Sequence, residues 1–394
     1  MVILLKKVGE RMFTVWHAKD RDLANWLINN SMLKSYLKKN KVKIEELFSN
    51  NSKNFVKLPT EIQSLLYLDM HDLIVTINRE GADIPFLAIE LMQHTPQGEH
   101  VKQRFCRLAA SAEYHIPTVF ILPQKKGTYK CTMDVFFGMS KLMDFHSIPV
   151  FGFFWPHKYG QLLSDKKNPS GPKISNDIIE FFKFVDSTIE NAIAKRDPIR
   201  LFENPNVMTY LDTARKRAYD RSNEKKFKVE DAVRNPNLNL ELIETKKVIQ
   251  NLKKKSLTIE KELPIAFKSR KKSLIYSAHF KAQKSAEHMR TDPYAGHLSF
   301  FDYCYCRVGP LISQRRYNLI FEAKGVSFKN FKEVYHSYWE KKCPYGKSND
   351  LDMDEILNVT LHLRNGCTYT RPKTLRTYGY LPDMLIFDDY VLFR

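Results

Sequence analysis

The chain has 394 residues, too many for one ordinary hydrophobic core, which predicts two domains or one core with a large insertion. Its 43% hydrophobic and 12% aromatic content excludes an intrinsically disordered protein. Lys and Arg outnumber Asp and Glu by 63 to 44, and the formal charge of +19 creates a positive field suited to a polyanion. Nucleic acid is the first candidate for that polyanion. A Lys-rich composition that only reflects genomic base composition is the alternative.

Three features bear on the compartment. Apolar runs such as residues 148–156 are far shorter than the roughly 20 residues of a membrane helix. The first ten residues lack the cationic region and the cleavage site of a signal peptide, so none is expected. The six cysteines are scattered and do not form the pattern of a disulfide framework. We therefore expect a cytoplasmic protein without membrane attachment.

The first part of the chain predicts a helical segment followed by a hairpin. Helical periodicity runs through residues 20–48, and residues 58–68 form a second, short predicted helix. Two β-rich runs follow at residues 72–77 and 86–91, and the segment between them contains the Gly and Asp residues that favour a turn. These two runs are predicted to pair as an antiparallel hairpin.

A basic amphipathic helix and a buried strand are predicted next. The helix covers residues 99–114, and the strand covers residues 118–123 between two prolines. The apolar face of this helix consists of Val101, Phe105, Leu108, Ala109 and Ala112. Its other sides carry Lys102, Gln103, Arg104 and Arg107, which can face a site or solvent. The order strand, strand, helix, strand predicts a mixed α/β core.

Charge dominates the middle of the chain and strand patterns return near its end. Residues 196–290 predict helices with basic faces, which fit either a nucleic-acid contact or a solvated surface. Strands are predicted at residues 297–307 and 315–325, and a terminal hairpin at residues 380–394. The alternation around Cys304 and Cys306 favours small buried cysteines in a strand over a zinc site.

These patterns predict an α/β fold, a mixed sheet flanked by helices, with an additional basic α+β region. The expected division is a core domain at residues 1–195, a basic helical insertion or linker at 196–290, and a β-rich region at 291–394 that recognises DNA or holds a second site.

Two carboxylates mark one end of the first predicted hairpin. Asp72 opens the run DLIVTI and Glu90 closes the run FLAIEL, with 17 residues between them. In an antiparallel hairpin the start of one strand meets the end of its partner. Mg²⁺ prefers such oxygen ligands, and it supports phosphodiester hydrolysis by neutralising charge and activating water. Strand-end acids that pair with arginines would give the same sequence pattern.

This arrangement resembles the PD-(D/E)XK nuclease superfamily of restriction endonucleases and repair nucleases. The resemblance covers roughly residues 55 to 123, where a helix, a meander, a helix and a further strand are expected. It implies that Asp72 and Glu90 hold Mg²⁺, or Mn²⁺ in its place, and that Glu61 is an additional acid. Gln103 and Arg104 lie on the helix where several branches of the superfamily carry a polar residue.

The sequence departs from the superfamily pattern at two positions. His71 stands where the motif has proline, and Met92 stands where the motif has lysine, two residues after Glu90. Members with glutamine, or with a lysine on the following helix, indicate Gln93 and Lys102 as substitutes. The resemblance thus gives Asp72, Glu90, Gln93 and Lys102 as the catalytic set.

A second acid-x-lysine motif lies in the last hundred residues. Glu322 and Lys324 share one face of the predicted strand LIFEAKG, because side chains alternate with period 2. Asp302 precedes Glu322 by 19 intervening residues and is predicted on the neighbouring strand. These three residues form the second candidate catalytic site.

The combined expectation is a Mg²⁺-dependent endodeoxyribonuclease of the restriction type that cuts double-stranded DNA. The sequence does not determine its oligomeric state, and a homodimer is one possibility. The alternative is a non-catalytic nucleic-acid-binding protein with a degraded nuclease fold, and the choice of DNA over RNA is an expectation. Arginine and lysine contact phosphates and base edges. The candidate DNA-binding residues are Arg104, Arg315, Arg316, Arg371, Lys373 and Arg376.

Overall fold

Two six-stranded mixed sheets organise the part of the chain that the computed structural model describes. The described residues are 12–18, 20–47, 58–59, 61–62, 65, 71–92, 104–123, 134–158, 161–194, 205–222, 228–254, 258–259, 263–279, 294–328 and 382–393. The structure is thus mixed α/β, with helices against both sheets, as the sequence predicts at this level.

The first sheet has the strand order β2-β1-β3-β4-β5-β6. Its strands are β1 (Phe13–His17), β2 (Val42–Glu46), β3 (Leu73–Arg79), β4 (Ala82–Leu91), β5 (Thr118–Pro123) and β6 (Val150–Trp155). The strands β1, β3 and β4 are successively antiparallel, whereas β4, β5 and β6 are parallel. Parallel neighbours require crossover connections, which helices provide here.

Helices cover both faces of this sheet. They are α1 (Arg21–Asn30), α2 (Leu33–Leu37), α3 (Phe105–Glu113), α4 (Val135–His146) and α5 (Asn176–Ala194). On one face, Trp26 of α1 stacks on Phe181 of α5 at a centroid distance of 5.5 Å. On the other face, Ala110 of α3 packs in one cluster with Ile74 and Ala88. Burial of both faces explains why the central strands are continuously apolar.

The β3–β4 hairpin turns through Glu80 and Gly81. Both residues have positive φ angles, 51° and 89°, and Arg79 pairs with Ala82. A two-residue loop with both positions left-handed matches the twist of antiparallel strands and favours glycine. The hairpin predicted from the sequence is therefore confirmed, as is the buried strand β5. The apolar face of α3 is buried at Phe105, Leu108, Ala109 and Ala112, whereas Val101 lies outside the described residues.

The second sheet has the order β10-β14-β13-β12-β11-β9. Its strands are β9 (Leu240–Glu244), β10 (Thr258–Ile259), β11 (Lys272–His279), β12 (Tyr317–Lys324), β13 (Met384–Ile386) and β14 (Tyr390–Phe393); a two-stranded ribbon of β7 (His157–Lys158) and β8 (Gln161–Leu162) stands apart. The hairpin of β13 and β14, with Asp388 and Asp389 at its turn, is confirmed.

The remaining helices are α6 (Pro205–Arg221), α7 (Val229–Val233), α8 (Thr245–Lys254), α9 (Ile265–Ser269) and α10 (Tyr294–Phe301), which continues into a π-helical turn, Asp302–Cys306. Val248 of α8 and Phe267 of α9 pack with Ile320 on one face of the second sheet. Phe301 of α10 contacts Tyr276 on the other face, at a ring distance of 5.1 Å. No described helix has the length and apolar character needed to cross a membrane.

Three secondary-structure predictions are wrong. Residues 42–46 form strand β2 and not the end of a helix, because they pair with β1. Residues 298–306 are helical and not a strand; every one of them is buried, and a run that is buried on all sides has no periodicity that separates the two structures. The 196–290 segment is not wholly helical, since β9 and β11 pair within the second sheet.

Candidate active site

The β3–β4 hairpin brings Asp72 and Glu90 together at one end of the first sheet. Asp72 directly precedes β3, and Glu90 is the penultimate residue of β4. Leu73 pairs with Ile89, so Asp72 lies opposite the end of β4, where the Leu91 amide donates a hydrogen bond of 2.8 Å to Asp72 Oδ2. The two predicted ligands are therefore neighbours across the hairpin.

Two arginines of the helix after the hairpin contact both acids. Arg104, which precedes α3, and Arg107 donate hydrogen bonds through Nη1 to Glu90 Oε1, the second at 2.5 Å. Each Nη1 also lies 3.7 Å from an Asp72 carboxylate oxygen. The Glu90 side chain is fully buried, whereas Asp72 and the arginines retain 19–29% exposure. The cluster can thus be reached from solvent on the Asp72 side.

His71 fixes the position of α3 relative to this cluster. Its Nε2 lies 2.8 Å from the Arg107 carbonyl oxygen and 2.6 Å from Ser111 Oγ. Because the carbonyl can only accept, the bond to it requires a proton on Nε2. His71 is fully buried and directly precedes Asp72. The backbone of one acid is thereby tied to the backbone of the helix that supplies the arginines.

Burial and charge separate the pKa values of the two acids. Burial, together with the negative charge of Glu90, raises the pKa of Asp72 from 3.8 to about 7 and outweighs the nearby arginines. Burial also opposes the ionisation of Glu90, but Arg107 and Arg104 prevail and hold the pKa of Glu90 below its ordinary value. At neutral pH Glu90 is ionised while Asp72 is partly protonated.

The donor atoms at this site fit a hard divalent cation. Glu90 Oε2 is buried and accepts no hydrogen bond within the described part of the chain. Asp72 and Glu90 would hold the ion, which usually takes one or two carboxylates and completes its shell with water and substrate phosphate. Among the described residues, no group of three or more His, Cys, Asp or Glu side chains could hold a metal. Water and substrate would therefore supply the other ligands.

We expect cation binding at this site to release a proton near neutral pH. Below a pH of about 7 Asp72 is mostly protonated, and it must lose this proton to bind a cation, so affinity falls by up to about tenfold per pH unit below that value. Titration calorimetry with Mn²⁺, in buffers that differ in ionisation enthalpy, measures the release. Asp72→Asn should abolish it, and an unchanged release in that variant would contradict the assignment.

The same pKa shift has a consequence for stability. The folded protein keeps a proton on Asp72 that the unfolded chain has already lost, so the free energy of unfolding decreases as the pH rises from about 4 to about 7. The Asp72→Asn variant should not show this contribution. Denaturant unfolding of both proteins at several pH values gives a measurement that is independent of any cation.

The second candidate catalytic site is not assembled as predicted. Asp302 lies in the π-helical turn, and its buried carboxylate accepts hydrogen bonds from Arg307 and Arg315. Glu322 and Lys324 do share one face of β12, with 3.2 Å between Lys324 Nζ and Glu322 Oε2. The strands on either side of them are β11 and β13, and both run parallel to β12. The neighbour of Glu322 on β11 is Ser277 and not an acid; Ser277 Oγ donates a hydrogen bond of 2.7 Å to Glu322 Oε2.

The other predicted site residues are distributed as follows. Glu61 is exposed. Gln93, Lys102, Gln103, Arg371, Lys373 and Arg376 lie outside the described residues. Arg316 is exposed, with its guanidinium 5.0 Å from the ring centre of Tyr317. Arg315 is buried in ion pairs with Asp302 and Asp383, so its prediction as a DNA contact is wrong in this structure.

Sequence reasoning left three contributors to the site without a role. The sequence pattern leaves open whether Arg107 faces the site or solvent, it marks His71 only as a departure from the motif, and it gives Ser111 no role. The spacing of Arg104, Arg107 and Ser111 is i, i+3, i+7, which defines one face of a helix. This polar stripe, beside the apolar face of α3, is the sequence signal for Arg107 and Ser111, whereas no such pattern marks His71.

Comparison with known proteins adds no relative. No protein-family model matches the chain, and neither the curated proteins nor the solved structures contain a match to it.

Proposed function

We propose that this protein is a Mg²⁺-dependent endodeoxyribonuclease of the restriction type, which hydrolyses phosphodiester bonds in double-stranded DNA. The observation that carries the proposal is the pairing of Asp72 with Glu90 across one hairpin end, where Glu90 Oε2 is buried without a hydrogen bond among the described residues. An acid in that position is costly to bury unless a cation or donor satisfies it.

The order of elements around the site supports the proposal. Strands β3 and β4, helix α3 and strand β5 follow one another, and β5 is parallel to β4. A nuclease core of the PD-(D/E)XK kind has a three-stranded meander, a helix and a further strand. Here the third antiparallel strand is β1, which pairs with β3 but is separated from it in the chain by α1, α2 and β2. The charge of +19 provides attraction to the DNA backbone.

The chemistry divides between the cation and the chain. A bound Mg²⁺ would lower the pKa of a water molecule and neutralise charge on the phosphate. Asp72 and Glu90 would hold the ion, and the Leu91 amide orients Asp72 for this task. His71 fixes α3 and thereby the arginines. Met92 occupies the position of the motif lysine, but it is an apolar, buried residue and contributes no charge.

A second candidate function is supported by the arginines themselves. Arg104 and Arg107 neutralise Glu90, as counter-ions would do in a binding protein that has lost catalysis. Such a protein would bind DNA through its basic surface without cutting it. The two candidates differ in a single measurable property, which is cleavage.

We expect plasmid and phage DNA to be cut in the presence of Mg²⁺ or Mn²⁺ and to remain intact with chelator. The measurement uses the purified full chain, DNA substrates of diverse sequence, and matched single-stranded DNA and RNA to test the substrate class. Discrete fragments would indicate a specific recognition site. Intact DNA under all conditions, with retained binding, would favour the non-catalytic candidate.

A further inference from the structure

In the motif that this chain resembles, a lysine two residues after the second acid supplies a cation to the site. This chain has no cation at that position. Met92 lies two residues after Glu90, is 1% exposed, and donates its amide to the Ile121 carbonyl oxygen of β5. A methionine side chain has no charge with which to balance a phosphate. A nuclease site without a cation beside its carboxylates would lack stabilisation for the negative charge that grows during hydrolysis. Another element must provide it.

Helix α3 places a cation at this location. Arg107 Nη1 lies 2.5 Å from Glu90 Oε1 and 3.7 Å from Asp72 Oδ1, so its guanidinium bridges the two acids. The Arg107 side chain is 19% exposed, which leaves it accessible to a ligand that approaches from solvent. Its backbone is held by His71, 2.8 Å from the carbonyl oxygen. The position of Arg107 between the two acids, its partial exposure and its fixed backbone all favour an interaction with substrate.

We infer that Arg107, assisted by Arg104, binds the non-bridging oxygens of the scissile phosphodiester and takes the place of the missing strand lysine. The inference rests on the proposed nuclease function. Guanidinium groups match phosphate because two parallel N–H donors meet two oxygens. In the structure both arginines donate to Glu90 Oε1, so each guanidinium already binds an anionic oxygen at this site.

The role of the arginines follows from the course of hydrolysis. The oxygen of water forms a bond to phosphorus, the bond from phosphorus to the leaving sugar oxygen breaks, and the water loses a proton to solvent while the sugar oxygen gains one. Negative charge on the non-bridging oxygens is greatest in the transition state. A cation fixed beside them stabilises this state more than the ground state and therefore raises the rate.

The test compares Arg107→Met and Arg107→Lys with the wild-type protein. Single-turnover cleavage with saturating DNA and Mg²⁺ should slow by about 100-fold or more for Arg107→Met, and by about tenfold for Arg107→Lys, which keeps the charge but loses the planar donor pair. DNA affinity should change by less than about tenfold, because many surface cations contribute to it. Cation affinity should increase when the neighbouring positive charge is removed.

Arg79→Met is the matched control. Arg79 is the last residue of β3, at the end of the hairpin that lies away from Asp72 and Glu90. It is partly buried and donates hydrogen bonds to the Ala192 and Ile193 carbonyl oxygens of α5. This variant should lose stability without a change in the single-turnover rate or in cation affinity. A purely structural role for Arg107 would give the same result as the control. If Arg107→Met does not fold, the reduced rate of Arg107→Lys remains the test.

The outcomes separate the inference from the proposed function. If the wild-type protein cuts DNA, Glu90→Gln does not, and Arg107→Met cuts at the wild-type rate, the inference is overturned while the nuclease function stands. A parallel loss of DNA affinity and rate would limit Arg107 to ground-state binding and also overturn the inference. If the wild-type protein cuts no DNA under any condition, the proposed function fails, and the inference fails with it.

Discussion

Asp72→Asn and Glu90→Gln should each reduce DNA cleavage by at least about 1000-fold, which corresponds to about 4 kcal/mol of transition-state stabilisation. Both substitutions keep the shape of the side chain and remove the charge that would hold a divalent cation. DNA affinity should stay within about fivefold of wild type, because the basic surface supplies most of the attraction. Cleavage rates and filter-binding affinities, measured at one fixed salt concentration, test both expectations.

The matched control for these substitutions is Asp83→Asn. Asp83 is a buried acid on the same strand as Glu90, at the far end of the hairpin, where it accepts a hydrogen bond from Asn78 Nδ2 at 3.2 Å. Its removal should affect stability but not the cleavage rate per folded molecule. Wild-type cleavage in both Asp72→Asn and Glu90→Gln would exclude the first-sheet site, and Glu322 and Lys324 would then be the residues to substitute.

Local sequence signals were sufficient to locate the pair of acids. The segment between the two β-rich runs contains Gly81, which can adopt positive φ without strain and so closes a short turn. Once the turn is placed, antiparallel pairing sets Asp72 opposite the end of β4. The helix after the hairpin was also predictable, because its apolar residues follow a 3.6-residue period. The candidate site thus follows from short-range patterns.

Long-range contacts determined what the sequence did not reveal. Residues 298–306 are buried on all sides, Asp302 included, and they pack between α3 and the second sheet, so their sequence shows no period that distinguishes a helix from a strand. From the sequence, Arg315 is expected to be a surface cation. In the structure its side chain is buried and forms ion pairs with Asp302 and Asp383, which lie elsewhere in the chain. Hydrophobic periodicity carries no information about which charged side chains pair across the fold.

A buried ion-pair network replaces the predicted second active site. Asp302 Oδ2 accepts from Arg307 Nε at 2.5 Å, and Asp302 Oδ1 accepts from Arg315 Nε at 2.7 Å. Arg315 also pairs with Asp383 beside β13, and Arg307 pairs with Glu113, the last residue of α3. The side chains of Asp302 and both arginines are fully buried. The network therefore joins the second sheet to the helix that carries Arg107.

The position of the network gives Asp302 a role in folding. Two arginines are held in an interior where each charge needs a partner, and Asp302 is the one acid that contacts both of them among the described residues. Arg307 further stacks over the Tyr303 ring at 4.0 Å, so the guanidinium cannot leave without breaking the packing. Because Asp302 is buried, neither a metal nor DNA can reach it. For the same reason, its negative charge is needed to compensate the two buried arginines.

Asp302→Asn should therefore lower the free energy of unfolding by about 3–5 kcal/mol, the typical cost when one partner of a buried ion pair is removed and the other charge stays buried. Denaturant unfolding at neutral pH measures the shift. Asp144→Asn is the control, since the Asp144 pair with Lys141 on α4 is solvent-exposed and should be worth less than about 1 kcal/mol.

Asp302→Asn protein that remained folded should cut DNA at the wild-type rate if the first-sheet site is catalytic. A loss of cleavage with unchanged stability would instead return Asp302 to the catalytic centre and contradict the structural role argued from Arg307 and Arg315.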